Sequence, residues 1–398
     1  MLYSEQPLQT FRLRNFKAVR DSRAVKFTPL TVFIGNNGSG KSSLIEGLET
    51  FQSIVVDGLD EAMNRWRGFE FVWNAMTTKP EEMTDDLLFR SAVEMDLAFA
   101  SSEFSTSFAV LPQSQELIIL HESYRHFVGE YKRGANSSKK KLFSTLVRDW
   151  EGYVRQVVEE NETDAGLLIR FDRSLLSNFD DDEGVERWQF LNLSPELMGE
   201  PRLTKQSPQA RRVTWLAKNG DNIADYLHNI RQIDESAFEG IVETLRYVLP
   251  YADKMNPALA SELGRSRYLQ LEEGSKTIPG WMLSTGTLRV LAILAVLRHP
   301  DPPPLLCIEE IENGLDPRTL NLIVEEIART TQSGKTQVVC TTHSPYFLDL
   351  VPLSSIVVVE RDASGQPTFT RPDEKALGEW ATKFAPGQLY TMSQLTRD

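Results

Sequence analysis

The chain has 398 residues, 41% hydrophobic and 25% charged, enough to bury one large core or two modest ones. Its 43 Lys and Arg against 56 Asp and Glu give a formal charge of -13, which argues against stable, unspecific nucleic-acid binding, because neutralising phosphates takes clustered cations. Two cysteines, Cys307 and Cys340, each in an apolar run, read as core residues rather than a disulfide, and the five scattered histidines offer no zinc spacing.

The N-terminal stretch "MLYSEQPLQTFRLRNFK" lacks the apolar core of a signal peptide. No later run reaches the roughly 18 apolar residues of a membrane span, so a cytoplasmic location without membrane partners is expected. The segment "FRLRNFKAVRDSRAVKFTPLTVFIG" predicts two or three short strands ending in a loop, where Gly35, Gly40, Lys41 and Ser42 satisfy G-x-x-x-x-G-K-S. Before the loop "LTVFIG" reads as a buried strand, and after it "SSLIEGLETFQSIV" repeats apolar residues at three and four, as a helix does. A glycine loop between a strand and a helix N-terminus favours an anion, since free N–H groups and the positive helix end converge there. Lys41 adds a cation, and the Ser42 hydroxyl can ligate Mg²⁺.

Residues 93 to 127 alternate apolar and polar side chains and predict an antiparallel meander. Over 139 to 161 the period changes, and Leu142, Phe143, Leu146, Val147, Trp150, Val154, Val157 and Val158 predict one helical stripe. The polar, breaker-rich stretch from "NFDDDEG" to "QSPQARR" reads as a long loop or insert, and Asn222 to Val248 as a second helical block stopped by Pro250. From Ser284 a helix "TLRVLAILAVLRH", a strand "LLCIEE", a helix "RTLNLIVEEIART" and a strand "QVVCTTH" alternate, which predicts a mostly parallel sheet.

Three features of this last region carry chemistry. An apolar strand ending in Glu309-Glu310 can place one carboxylate on Mg²⁺ and a second where it polarises an attacking water, although alone it is equally a strand running into an acidic turn. Ser284, Thr285 and Gly286 at a helix start offer hydroxyls and N–H groups to an anion, or serve as a helix cap. His343 follows an apolar strand, where an imidazole can reach a phosphate or simply sit at the surface.

Taken in order, "NNGSGKSS", the "RNFKAVRD" lead-in, "LSTGTLR", "IEEIENGLDP" and the post-strand histidine resemble the ATP-binding cassette superfamily, in the branch of RecF, SMC and OLD-type ATPases. The resemblance covers the two ends of the chain well and the middle poorly. It implies an α/β ATPase head, a mixed β-sheet with flanking helices and an antiparallel β subdomain, built from residues 1–135 and 265–398, with a mainly helical insert at 136–264. It implies that Asn36, Asn37, Gly38, Ser39, Gly40, Lys41, Ser42 and Ser43 hold ATP, that Ser42 and Glu309 serve Mg²⁺, and that Glu310 and His343 are the catalytic carboxylate and the switch histidine. Ser284, Thr285 and Gly286 would then contact ATP on a partner subunit, and Asp316 would lie in the loop crossing between subunits, so a homodimer or higher oligomer is implied. Glu stands at 309 where the superfamily usually has Asp, Thr285 and Thr287 replace a glycine and a glutamine, and the glutamine loop has no placed counterpart: Gln52 is too close to Lys41, and Gln113 and Gln115 remain candidates.

An SMC-like machine needs a long coiled coil, which the heptads do not support. The stretch after "SSIVVVERD" is too short for the TOPRIM nuclease domain of many OLD-type relatives. The expectation is therefore an ATPase whose ATP-driven dimerisation controls a separate effector, a nuclease or toxin, as in bacterial anti-phage systems. The alternative is a RecF-like repair ATPase that binds DNA ends or gaps. Its candidate contacts are "KRGANSSKKK" and "KQSPQARR", which read first as solvated basic loops, so nucleic acid stays open as a partner.

Overall fold

The computed structural model describes residues 7–74, 92–111, 114–128, 141–149, 151–158, 161–170, 172–178, 184–201, 215–250, 254–261 and 266–396. In chain order the strands are β1 (Thr10–Phe16), β2 (Val19–Asp21), β3 (Val25–Lys26), β4 (Leu30–Ile34), β5 (Val93–Ala98), β6 (Ser102–Val110), β7 (Leu117–Val128), β8 (Lys141–Arg148), β9 (Tyr153–Val158), β10 (Asn161–Leu168), β11 (Gln189–Leu191), β12 (Lys254–Ser261), β13 (Ser266–Glu273), β14 (Lys276–Pro279), β15 (Leu305–Ile308), β16 (Gln337–Thr342), β17 (Ile356–Arg361) and β18 (Pro367–Thr370). The helices used below are α1 (Lys41–Val56), α2 (Leu59–Arg65), α3 (Ile223–Ile233), α4 (Glu235–Val248), α5 (Thr285–Leu297), α6 (Pro317–Gln332), α7 (Pro345–Asp349) and α8 (Pro386–Thr391). The fold class is α/β, with parallel strands, an antiparallel sheet and helices.

The chain forms two compact units, one of residues 1–28, 33–188 and 357–371, the other of 29–32, 189–356 and 372–398.

In the first unit nine strands make an antiparallel sheet in the order β10-β9-β8-β7-β6-β5-β1-β2, with β3 paired to β1. Strand β5 buries alternate residues, Val93, Met95 and Leu97, as a sheet with one apolar face requires. Helix α1 follows the phosphate loop and buries Leu44, Leu48 and Phe51. Gly47 on that helix lets it come close to β1, since a Cβ there would stand 2.6 Å from the Leu13 side chain.

The described residues of 139–161 correct the sequence reading: they form no helix but strands β8 and β9 of this sheet and the first residue of β10. The turn between β8 and β9 is chemically specified. The Asp149 carboxylate accepts N–H groups from Glu151 at 3.1 Å and Tyr153 at 3.0 Å, and Gly152 takes a φ of 90°, which only glycine adopts freely. Trp150, part of the expected stripe, lies outside the described residues. The sheet also buries an ion pair: Arg148 and Glu122 are fully inaccessible, with Nη1 3.7 Å from the carboxylate. Glu122 further accepts the Ser174 hydroxyl at 2.9 Å and the Leu175 N–H at 2.7 Å, which ties the segment after β10 onto β7.

In the second unit β11, β15 and β16 run parallel, and the Val338 N–H donates to the Pro29 carbonyl at the start of β4. Strand β11 falls in the stretch expected to be loop. Its three residues are all buried beside β15, a pairing that its surroundings supply. The second helical block appears as expected, as α3 and α4, with Asp234 capping α4 through the N–H groups of Ser236 and Ala237. Among the described residues of 136–264 the α-helices are α3, α4 and a single turn at Pro195–Met198. A separate three-stranded sheet, β12-β13-β14, adjoins α3, where Arg267 pairs with the buried Asp225 at 2.9 Å.

Candidate functional site

The phosphate loop lies wholly in the first unit. Strand β4 ends at Ile34, and the backbone turns through Gly38 and Gly40 at φ of 73° and 109°, conformations that disfavour any side chain. Space demands glycine as well: a Cβ on Gly35 would stand 2.1 Å from the Val359 carbonyl oxygen, and one on Gly40 2.7 Å from the Pro367 ring. The buried Lys41 donates its ammonium to the carbonyls of Gly35 at 2.7 Å and Asn36 at 3.0 Å, so the loop already encloses a cation. Asn36, Asn37, Gly38 and Ser42 are exposed, whereas Ser39, Gly40 and Ser43 are buried. The Ser39 hydroxyl oxygen is buried without a hydrogen-bond partner, and no side chain caps the first turn of α1. An orphan hydroxyl, an uncapped helix start and an enclosed ammonium are what an anionic phosphate chain would satisfy.

The other predicted residues gather in the second unit, at the C-terminal ends of β15 and β16. Strand β15 is buried along its length and delivers Glu309, half-buried, with its N–H on the Leu191 carbonyl at 2.9 Å. Glu310 is exposed and sits at a φ of 48°. A non-glycine residue in the left-handed region costs about 1 kcal/mol or more and persists only where its surroundings enforce it. Three contacts enforce it here. The Glu310 N–H donates to the Thr341 hydroxyl at 2.9 Å, its carbonyl accepts from Arg289 at 2.9 Å, and its carboxylate accepts the Asn313 side-chain amide.

Arg289 comes from α5, whose start is the "LSTGTLR" stretch. Only 5% exposed, it also donates to the Leu193 carbonyl at 3.0 Å. Burial pulls its pKa down, opposed by the charges of Glu310, Glu312 and Glu196. Glu312 accepts the His343 N–H at 2.6 Å and so anchors the turn after β16, while the imidazole of His343 is exposed. Ser284 acts as the cap of α5, accepting from the Thr287 N–H at 3.1 Å, and Thr285 and Gly286 open the helix beside Gly314. Gly286 has no alternative: a Cβ there would lie 2.4 Å from the Gly314 carbonyl oxygen. Asp316 caps α6, accepting N–H groups from Arg318 at 2.9 Å and Thr319 at 3.2 Å, and the Thr319 hydroxyl holds its carboxyl below the usual range. A cavity of about 160 Å³ opens beside these two caps, floored by Leu245, Val248 and Val290.

The sequence reading overlooked Arg289, Glu312 and Asn313, all inside stretches it had singled out. Their roles are contacts to backbone groups of other elements, which no spacing rule reports. Gln52 has a structural task, donating to the carbonyls of Val185 and Trp188 at 2.9 and 2.8 Å. Gln115 is exposed in the turn between β6 and β7, and Gln113 lies outside the described residues. Among the described residues no cluster of His, Cys, Asp and Glu forms a metal site by itself, and no helix is long and apolar enough to cross a membrane. The basic stretches at 132–140 and 205–212 lie outside the described residues.

A glycine loop between β4 and α1 with an enclosed lysine, together with a carboxylate at the end of a buried parallel strand, defines the class of P-loop ATPase folds. The family model described as "AAA domain, putative AbiEii toxin, Type IV TA system" matches residues 30–349, and the chain belongs to that family. Among solved structures, an SMC head bound to the C-winged helix domain of ScpA is 14% identical, covering 95% of this chain and 100% of its own, with a TM-score of 0.48. The SMC head domain from Thermotoga maritima is 12% identical, covering 92% and 99%, with a TM-score of 0.41. An SMC head with an extended coiled coil, bound to the C-terminal domain of ScpA and derived from Pyrococcus furiosus, is 13% identical, covering 98% and 100%, with a TM-score of 0.45. No curated protein matches the chain.

Proposed function

We propose that the protein binds ATP through residues 36–43 and hydrolyses it to ADP and phosphate, with Glu310 as the carboxylate that takes a proton from the attacking water. The observation that carries this is the left-handed backbone of Glu310, held by Thr341, Arg289 and Asn313. Backbone strain held by specific contacts at an exposed acidic side chain supports a functional role for Glu310. The loop fits a triphosphate, as the orphan Ser39 hydroxyl and the cation-lined turn indicate. Ser42 and Glu309 would hold Mg²⁺, which when bound neutralises charge on the phosphates. Ser284, Thr285, Gly286 and Asp316 would meet nucleotide bound by a second copy, with the homodimer or a higher oligomer as the active form.

In this reading the ATP cycle controls a separate effector protein, such as a nuclease or toxin, in an anti-phage defence system of the cytoplasm. The family's description as a putative toxin of a toxin–antitoxin system supports that direction. The acidic balance of the chain weighs against the RecF-like alternative of DNA-end binding.

Glu310→Gln is the test. Turnover should fall about a hundredfold or more while ATP binding persists, and sedimentation with Mg-ATP should show a stabilised dimer. Unchanged turnover and unchanged association would remove Glu310 from the role. A DNA-dependent shift of the same variant, falling steeply with salt, would favour repair, and co-purification of a second protein would favour effector control.

A further inference from the structure

We propose that Arg361 is a positioning residue of the nucleotide site: its guanidinium fixes the Gly38–Ser39 peptide at the apex of the phosphate loop, and with it the course the loop takes around phosphate. The inference rests on the reading of residues 36–43 as an ATP site. Arg361 ends β17, 323 residues from Gly38, and its Nε donates to the Gly38 carbonyl at 2.8 Å. Its Nη1 donates to the Gly365 carbonyl at 2.7 Å, so one planar fork joins the loop to the turn between β17 and β18.

That turn is a firm mount. The Asp362 carboxylate accepts N–H groups from Ser364 at 2.8 Å and Gln366 at 3.0 Å, Gly365 takes a φ of 80°, and Pro367 is seated against Gly40. The apex itself has no packing support, since a Cβ built on Gly38 would meet nothing within 4 Å. Because a peptide unit is planar and trans, tying its carbonyl on one side orients its N–H on the other. Arg361 holds the Gly38 carbonyl while the Ser39 N–H lies on the Asn36 carbonyl at 3.2 Å, so the unit is pinned at both ends. With Lys41 on the carbonyls of Gly35 and Asn36, three loop carbonyls that would repel phosphate are each engaged by a cation.

The experiment uses the full chain with Arg361→Ala, Arg361→Lys and Lys41→Ala, reading ATP and ADP affinity with a fluorescent analogue, turnover at saturating Mg-ATP, and thermal midpoint without nucleotide. Arg361→Ala should weaken both nucleotides about tenfold, leave saturated turnover within about twofold, and leave the nucleotide-free midpoint unchanged because the side chain is exposed. Arg361→Lys should recover only part of the affinity, since an ammonium cannot reproduce the fork. Wild-type affinity in Arg361→Ala, full recovery in Arg361→Lys, or a fall in nucleotide-free midpoint that accounts for the loss would each overturn the proposal. If the wild-type protein binds no more nucleotide than Lys41→Ala, the ATP site itself is wrong. If the wild type binds and Arg361→Ala equals it, only the positioning role fails.

Discussion

Strand β5 of the first unit buries every second residue, whereas β15 and β16 of the second are buried along their whole length. An alternating strand has a polar face all along, and the first unit uses it for pairs such as Glu103 with Arg125 and the Ser105 hydroxyl on Asp96. A strand buried on both faces has room for chemistry only where it ends. That is where Glu309, Glu310, Thr341 and His343 stand in the second unit, each just past or at the close of an apolar run. The contrast sets the proposed reactive groups at the strand ends by burial pattern, independently of any motif.

The largest expected effects test the pattern itself. Leu305→Ala and Leu306→Ala, neighbours in β15, should each cost about 2–5 kcal/mol in urea unfolding, since both are buried. On β6, Phe104→Ala should cost about 3–5 kcal/mol while its neighbour Glu103→Ala stays within about 1 kcal/mol, its ion pair with Arg125 being exposed. A harmless Leu305 or Leu306 change, or equal costs at Phe104 and Glu103, would break the comparison.

The buried pair of the first unit should produce a smaller, pH-dependent effect. Burial pushes the Glu122 carboxyl up from 4.5 to about 7, despite the opposing charge of Arg148. A carboxyl raised in the folded state binds its proton more tightly there, so it stabilises below the unfolded value and that stability is lost as pH rises through about 7. The change between pH 4 and pH 8 amounts to roughly 3 kcal/mol at most. Glu122→Gln, which cannot ionise, should flatten this slope. Urea midpoints across that range, unchanged in slope by the substitution, would assign the pH dependence elsewhere.

Caps in the second unit should give the smallest effect. Asp316→Ala should cost about 1 kcal/mol through the lost cap of α6. Since the folded carboxyl is held below its ordinary range, chiefly by the Thr319 hydroxyl, its contribution is present above that range and fades as pH falls through the lowered value. Thermal unfolding of the variant at neutral pH checks the first statement, and convergence with the wild type in acid checks the second.

Much of this was legible in the residues. The phosphate loop, its flanking strand and helix, the meander over β5 to β7, and the alternation from α5 to β16 follow from glycine chemistry and apolar period. The helix expected at 139–161 shows where period fails. Leu142 and Leu146, like Val154 and Val158, are four apart, a spacing that puts side chains on one face of a helix and also on one face of a strand. The turn at Asp149 and Gly152 separates the two readings, and the paired neighbours β7 and β10 complete the choice.

By itself the amino-acid sequence determined what a few neighbouring residues can settle: left-handed glycines in the phosphate loop, Ser284, Asp316 and Asp234 as helix caps, and the uninterrupted apolar runs of β15 and β16. These depend on backbone sterics and side chains reaching no more than a turn away. Tertiary structure alone decided that Glu310 is held left-handed by Arg289 and Thr341, that Glu312 anchors the turn bearing His343, and that Arg361 clasps Gly38. Each of these is a hydrogen bond between a side chain and the backbone of a distant element. Such a bond exists only once the strands and helices have packed, and so leaves no periodic trace along the chain.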